Sequence, residues 1–176
     1  RLRSCERPRI LIGGLGMGFT LRAALAALGT EARITVAELV PAVVAWARGP
    51  LSKLFAGSLD DPRVELRVED VSRSIQSGPA QYDAVLLDVD NGPEGLTRRA
   101  NDRLYDIWGL RRARYALRPD GILAVWLATW ELETAEMRML VRAFVDAFPH
   151  ASLWDCTHPG EWLLIVTDGA TEAMNR

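Results

Sequence analysis

The chain predicts an α/β fold built on a doubly wound, mostly parallel sheet. Short apolar or β-branched runs alternate five times with segments of helical periodicity, as strands joined by crossover helices do. Two last strand-like runs then stand close together around a short loop, as an antiparallel hairpin. A glycine-rich turn between the first run and the first helix marks one end of the sheet as a place for a ligand.

At 176 residues, the expected organisation is a single domain over 1–176, with loose ends at 1–8 and 169–176. The first residue is Arg1 rather than Met, and the first strand arrives within ten residues, so a preceding segment of a longer protein is expected. Hydrophobic residues make up 49% and charged residues 25%, ordinary for a globular protein. A net charge of −2 gives no strong pull toward nucleic acid or an anionic membrane. No apolar run approaches the ~20 residues of a membrane span. Cys5 and Cys156 are far apart and in no metal-type spacing, which predicts two free thiols and a cytoplasmic setting.

Arg9–Leu28, RILIGGLGMGFTLRAALAAL, reads as strand, tight turn and helix. Ile10, Leu11 and Ile12 suit a strand buried on both faces. Gly13, Gly14, Gly16 and Gly18 follow, then Leu21, Ala24, Leu25 and Leu28 at helical spacing. Glycines let the backbone turn tightly and let a ligand approach it, and the helix behind them presents free N–H groups. The spacing is G-x-G-x-G; Phe19 stands where the dinucleotide fingerprint needs its third glycine, which disfavours a nicotinamide cofactor.

Arg33–Glu38 is the second strand, ending in an acid suited to ribose hydroxyls. A helix over Pro41–Arg48 stops at Gly49–Pro50, and a short helical extension covers Leu51–Gly57. Val64–Val68 alternates as a third strand; Glu69 and Asp70 follow, then a short helix over Val71–Ser77. Asp70 suits both a helix N-cap and a hydrogen bond to a purine amino group. Ala84–Asp88 is the most apolar run, placed mid-sheet, and opens into Asp88–Gly95 with Asp88, Asp90 and Asn91 clustered at the ligand edge. Thr97–Arg103 reads as an arginine-rich surface loop. Leu104–Leu117 reads as a helix stopped by the turn Arg118–Gly121. Those arginines read as a solvated face rather than a nucleic-acid patch. Ile122–Leu127 is the fifth strand, Leu132–Phe148 a long amphipathic helix, and Ala151–Asp155 with Glu161–Thr167 the closing hairpin. Known folds of this kind order the strands 3-2-1-4-5-7-6 with the last reversed; the pattern alone does not supply that order.

In order and spacing, the blocks ILIGGLGMGFTLRAAL, VAELVPAVVAWAR, DPRVELRVED, YDAVLLDVDNGP and RLYDIWGLRRARYALRPDGILAVWL resemble the spermidine synthase-like proteins. These are a branch of the class I S-adenosylmethionine-dependent methyltransferase fold, Rossmann-like in build. The resemblance covers about Arg9 to Thr167. It implies a transferase of polyamine-biosynthesis type that binds S-adenosylmethionine or its decarboxylated form. The acceptor is a small molecule, an amine by family analogy; no nucleic acid, membrane or metal is expected, and a homodimer fits. Gly13, Gly14, Gly16 and Gly18 would lie under the nucleoside, Glu38 would hold the ribose, and Asp70 with Val71 would contact adenine. Asp88 would contact the donor beside the transferred group and, with Asp90 (or Asn91) as the second catalytic member, accept the proton and positive charge of the attacking amine.

The family's aminopropyltransferases carry an aspartate inside the glycine loop that holds the free amine of the decarboxylated donor. Here that position is Gly16, which favours methyl over aminopropyl transfer. Trp126 and Ala128 replace polar acceptor-side residues, and the terminal segment is reduced to Cys156–Trp162. The competing expectation is an inactive nucleoside-binding or regulatory homologue. His158, near the ligand edge, is a minor candidate for the acceptor side.

Overall fold

The computed structural model describes residues 2, 5–89, 103–128, 133–156 and 161–169. Seven strands, β1 Arg9–Gly13, β2 Arg33–Glu38, β3 Val64–Val68, β4 Tyr82–Leu87, β5 Leu117–Ala128, β6 His150–Asp155 and β7 Glu161–Thr167, form one sheet in the order β3-β2-β1-β4-β5-β7-β6. Neighbours pair in parallel except β7, which runs antiparallel to β5 and β6. This is the expected fold.

The helices are α1 Phe19–Ala27, α2 Pro41–Arg48, α3 Ser52–Phe55, α4 Val71–Ile75, α5 Ile107–Ala116 and α6 Thr134–Ala147. They split the apolar residues into two layers. Ile10, Ile12, Ile34, Val36 and Ala84 pack with Leu21, Ala47 and Phe55 of α1, α2 and α3. Leu11, Val85, Leu87, Leu123 and Val125 pack with Val71, Leu110, Ala113 and Phe144 of α4, α5 and α6. The alternation along β1 assigns its residues to the two layers, because successive side chains leave opposite faces. Ile10, Leu11 and Ile12 are each no more than 1% exposed, as a strand flanked by β2 and β4 requires.

Of the boundaries that differ from expectation, three do so for identifiable reasons. First, β4 starts at Tyr82, because Asp83 is satisfied within the strand: its Oδ2 accepts the Arg9 N–H at 2.7 Å and an Arg118 N–H at 3.0 Å. Next, α5 starts at Ile107 rather than Leu104, because Asp106 caps it, accepting the Gly109 N–H at 2.7 Å. Finally, Arg118–Gly121 does not precede β5 but bulges within it. Leu117 pairs with Tyr82 and Ile122 with Ala84, and Asp120 takes φ 63°. No helix among the described residues is long and apolar enough to cross a membrane.

The far end of α1 is closed by Arg63, just ahead of β3. One guanidinium nitrogen donates to the carbonyls of Leu25, Leu28 and Gly29 at 3.1, 2.9 and 3.3 Å. The rest of the guanidinium grips Asp61, with two 2.9 Å side-chain bonds. The Arg63 side-chain bonds first, and its backbone N–H next, hold the Asp61 carboxyl at about 2, below the ordinary 3.8. A carboxylate lowered on folding stabilises the fold above its ordinary pKa, and that contribution fades as pH falls from about 4 toward 2. Asp61→Asn should therefore flatten the pH dependence of stability in that window and lower the melting temperature at pH 7. Arg63→Met should lower the melting temperature at neutral pH by about 3–6 °C. Thermal unfolding from pH 2 to 7 checks both.

Candidate functional site

The carboxyl ends of four strands are tied together at the sheet edge. The Gly14 N–H donates to the Ala37 carbonyl at 2.9 Å, the Glu69 N–H to the Glu38 carbonyl at 3.0 Å, and the Asp88 N–H to the Gly13 carbonyl at 2.9 Å. These bonds bring the glycine loop, Glu38, Asp70 and Asp88 into one row, at the edge where open α/β sheets take ligands.

The four glycines meet different surroundings. At Gly13 a Cβ would press at 3.0 Å on both Leu87 and Val71 side-chain carbons, so its role is to let α4 close on the sheet. Gly14 has φ 91°, and a Cβ there would fall on the Asp88 carbonyl oxygen. Gly18 caps α1 at φ 75°, and its Cβ would enter the Phe55 ring. Only Gly16, at φ 49°, faces open space, with nothing within 4 Å of a Cβ. The first turn of α1 holds no acid, so the partial positive charge of its N-terminus is not balanced from within the helix.

Glu38 is 7% exposed and fully engaged: its two oxygens accept the Leu15 and Val40 N–H groups, each at 2.8 Å. It thereby fastens the glycine loop to the start of α2. A buried carboxylate needs such donors, and each oxygen retains capacity for another. Asp70 caps α4, its Oδ1 accepting the Ser72 N–H at 2.8 Å. The buried Ser74 pins the same helix, donating to Glu69 at 2.6 Å and accepting from Arg67 at 3.1 Å. The Glu65 side chain, bonded to Arg67, raises the Arg67 pKa above its ordinary value. The Val71 side chain is buried against Gly13, so any ligand contact from Val71 runs through its backbone.

Asp88 is exposed, and its Oδ2 accepts the Thr20 hydroxyl at 2.7 Å. Thr20 was invisible to sequence reasoning; its only signal is a hydroxyl in the first turn after a glycine loop. Asp90, Asn91 and His158 lie outside the described residues. Trp126 is half-buried in β5. Cys5 and Cys156 are free thiols. Among the described residues no group of three or more His, Cys, Asp or Glu is placed to hold a metal. A groove of about 460 Å³ runs from Asp70 between α4 and α5, past Ile75, Leu104 and Arg112. A shallower one of about 590 Å³ lies behind the glycine loop, between Phe19, Leu25 and Phe55, and includes none of the acids of the row.

Residues 4–166 match the model of the spermine/spermidine synthase domain. The chain belongs to that family. It is 39% identical over 125 residues to polyamine aminopropyltransferase 1 of Streptomyces coelicolor, covering 69% of this chain and 22% of that protein. To polyamine aminopropyltransferase 2 of Pseudomonas aeruginosa it is 36% identical over 126 residues, covering 68% and 34%. The chain thus matches between about a fifth and a third of the length of these relatives. A crystal structure of spermidine synthase from Thermotoga maritima superposes with TM-score 0.74 at 21% identity, over 92% of this chain and 54% of that one. Human methyltransferase-like protein 13, solved with SAH, superposes with TM-score 0.76 at 18% identity, over 97% and 76%. These two likenesses bear on the fold, which the family shares with methyltransferases.

The glycine geometry separates two substitutions. Gly14→Ala should destabilise the chain by about 2–4 kcal/mol, from a strained φ and a collision with the Asp88 carbonyl. Gly16→Ala, with the same added methyl and open space, should cost only about 1 kcal/mol. Urea unfolding of the two variants measures the difference.

Proposed function

We propose that this chain is the donor-binding and transfer unit of an aminopropyltransferase, acting in the cytoplasm. It would move an aminopropyl group from decarboxylated S-adenosylmethionine to a small amine. The observation that carries the reading is the Glu38–Leu15 bond, which locks a buried acid against the glycine loop at the carboxyl edge. Family membership and the names of the relatives support aminopropyl transfer over the methyl transfer that Gly16 favours.

The residues present fit such a donor. Gly13, Gly14, Gly16 and Gly18 form the floor, with Gly16 the only one of the four open to a ligand. The Glu38 oxygens, held by two N–H groups, keep lone pairs for ribose hydroxyls. Asp70 keeps one oxygen for the base, beside the Val71 backbone N–H. The bound sulfonium supplies an electrophilic carbon and a neutral thioether leaving group. The protein's share is alignment and proton handling. The acceptor nitrogen must be neutral to attack. Asp88 Oδ1, without a partner among the described residues, takes the proton released when the new C–N bond forms. Asp90 would be the second acid.

A second reading, methyl transfer from ordinary S-adenosylmethionine, is favoured by one observation: no carboxylate stands at Gly16 to hold a donor amine. An inactive, nucleoside-binding homologue is the third. Calorimetry with both donors separates the first two, and turnover of an amine acceptor separates both from the third. Tighter binding of the decarboxylated form, by about tenfold (1.4 kcal/mol) or more, is expected. Preference for the ordinary donor would turn the reading to methyl transfer, and binding of neither would end it. Glu38→Gln should weaken donor binding by about 10- to 100-fold. Asp88→Ala should abolish turnover of amines while leaving donor binding within a few-fold; turnover unchanged in Asp88→Ala would remove Asp88 from the chemistry.

A further inference from the structure

We infer that Thr20 is a positioning residue for the transfer step, acting through Asp88; this rests on the reading that Asp88 faces the reacting group. Three contacts hold Asp88 to the glycine loop and the helix behind it. Its N–H donates to the Gly13 carbonyl at 2.9 Å. Its own carbonyl occupies the space that a Cβ on Gly14 would need. Its Oδ2 accepts the Thr20 hydroxyl at 2.7 Å. The first two fix the backbone and leave the side-chain torsions free. Among the described residues only the third reaches the carboxylate of the exposed Asp88, and it selects one of the staggered side-chain positions.

The donor comes from a rigid place. Thr20 is the second residue of α1, which is anchored at its start by the fit of Gly18 on Phe55 and at its end by Arg63. With Oδ2 engaged, Oδ1 is the oxygen presented to the acceptor. A carboxylate that must collect a proton within a narrow range of geometries loses rate, not donor affinity, when it is free to rotate. The competing account is purely structural. Asp88 would supply, from a neighbouring strand, the negative charge that the first turn of α1 lacks, and Thr20 would only close that cap.

The two accounts part in a comparison of Thr20→Val, which keeps the shape and removes the hydroxyl, with Thr20→Ser, which keeps the hydroxyl. Each is made alone and with Asp88→Asn in the full chain. Turnover of an amine acceptor, donor affinity by calorimetry and the urea midpoint are measured for all. Positioning predicts that Thr20→Val lowers kcat by about 10- to 50-fold with donor Kd within about threefold. Thr20→Ser should restore kcat to within about threefold of the parent, and Thr20→Val should add no further loss beside Asp88→Asn. Parent-like kcat in Thr20→Val overturns the inference. So does a loss that Ser does not rescue and that follows the urea midpoint, or one that adds fully to Asp88→Asn. If the parent chain itself binds neither donor, the functional reading fails first and takes this inference with it. An active parent with an indifferent Thr20→Val sinks the inference alone.

Discussion

The ligand edge depends on how closely the backbone leaving β1 passes the end of β4. β1 is the middle of a parallel stack, with β2 on one side and β4 on the other. A chain leaving such a strand has to cross the ends of its neighbours, and at Gly14 it does so against the Asp88 carbonyl. No side chain fits there. The same crossing puts Leu15 where its N–H reaches the buried Glu38 at 2.8 Å, and Thr20 where its hydroxyl reaches Asp88 at 2.7 Å. One steric constraint thus sets two side-chain placements, and loss of the close approach would loosen both together.

The two helical layers support that edge from opposite sides. α1 and α3 lie on one face, where Phe55 packs beneath Gly18. α4 lies on the other, where Val71 closes against Gly13. The row of acids is therefore held by packing as well as by hydrogen bonds. Glu38 is the member buried deepest, and its charge is carried by two backbone donors rather than by a cation. Such an arrangement orients the carboxylate through backbone donors that belong to the loop it fastens.

Much of this was legible in the chain itself, because hydrophobic periodicity and glycine spacing are local signals. The alternation of strands and helices, the turn at Gly13–Gly18 and the acids at Glu38, Asp70 and Asp88 all fall where the pattern puts them. What stayed hidden depends on tertiary contacts. Arg118–Gly121 has the composition of a turn, yet it bulges inside β5 because Leu117 still finds a partner in Tyr82. Gly13 and Gly14 look alike in sequence, but one gives way to Val71 and the other to a carbonyl. Thr20 carries no periodic signal, and its significance comes only from a residue 68 positions away.

α1 is fastened at both extremities, by the loop at its start and by the Arg63 guanidinium at its finish. It is a strut of nine residues pinned at both ends. The Asp61–Arg63 ion pair thus bears on the same helix that carries Thr20. In acid strong enough to discharge Asp61, the Arg63 guanidinium would lose its carboxylate and grip the far end of that helix less tightly.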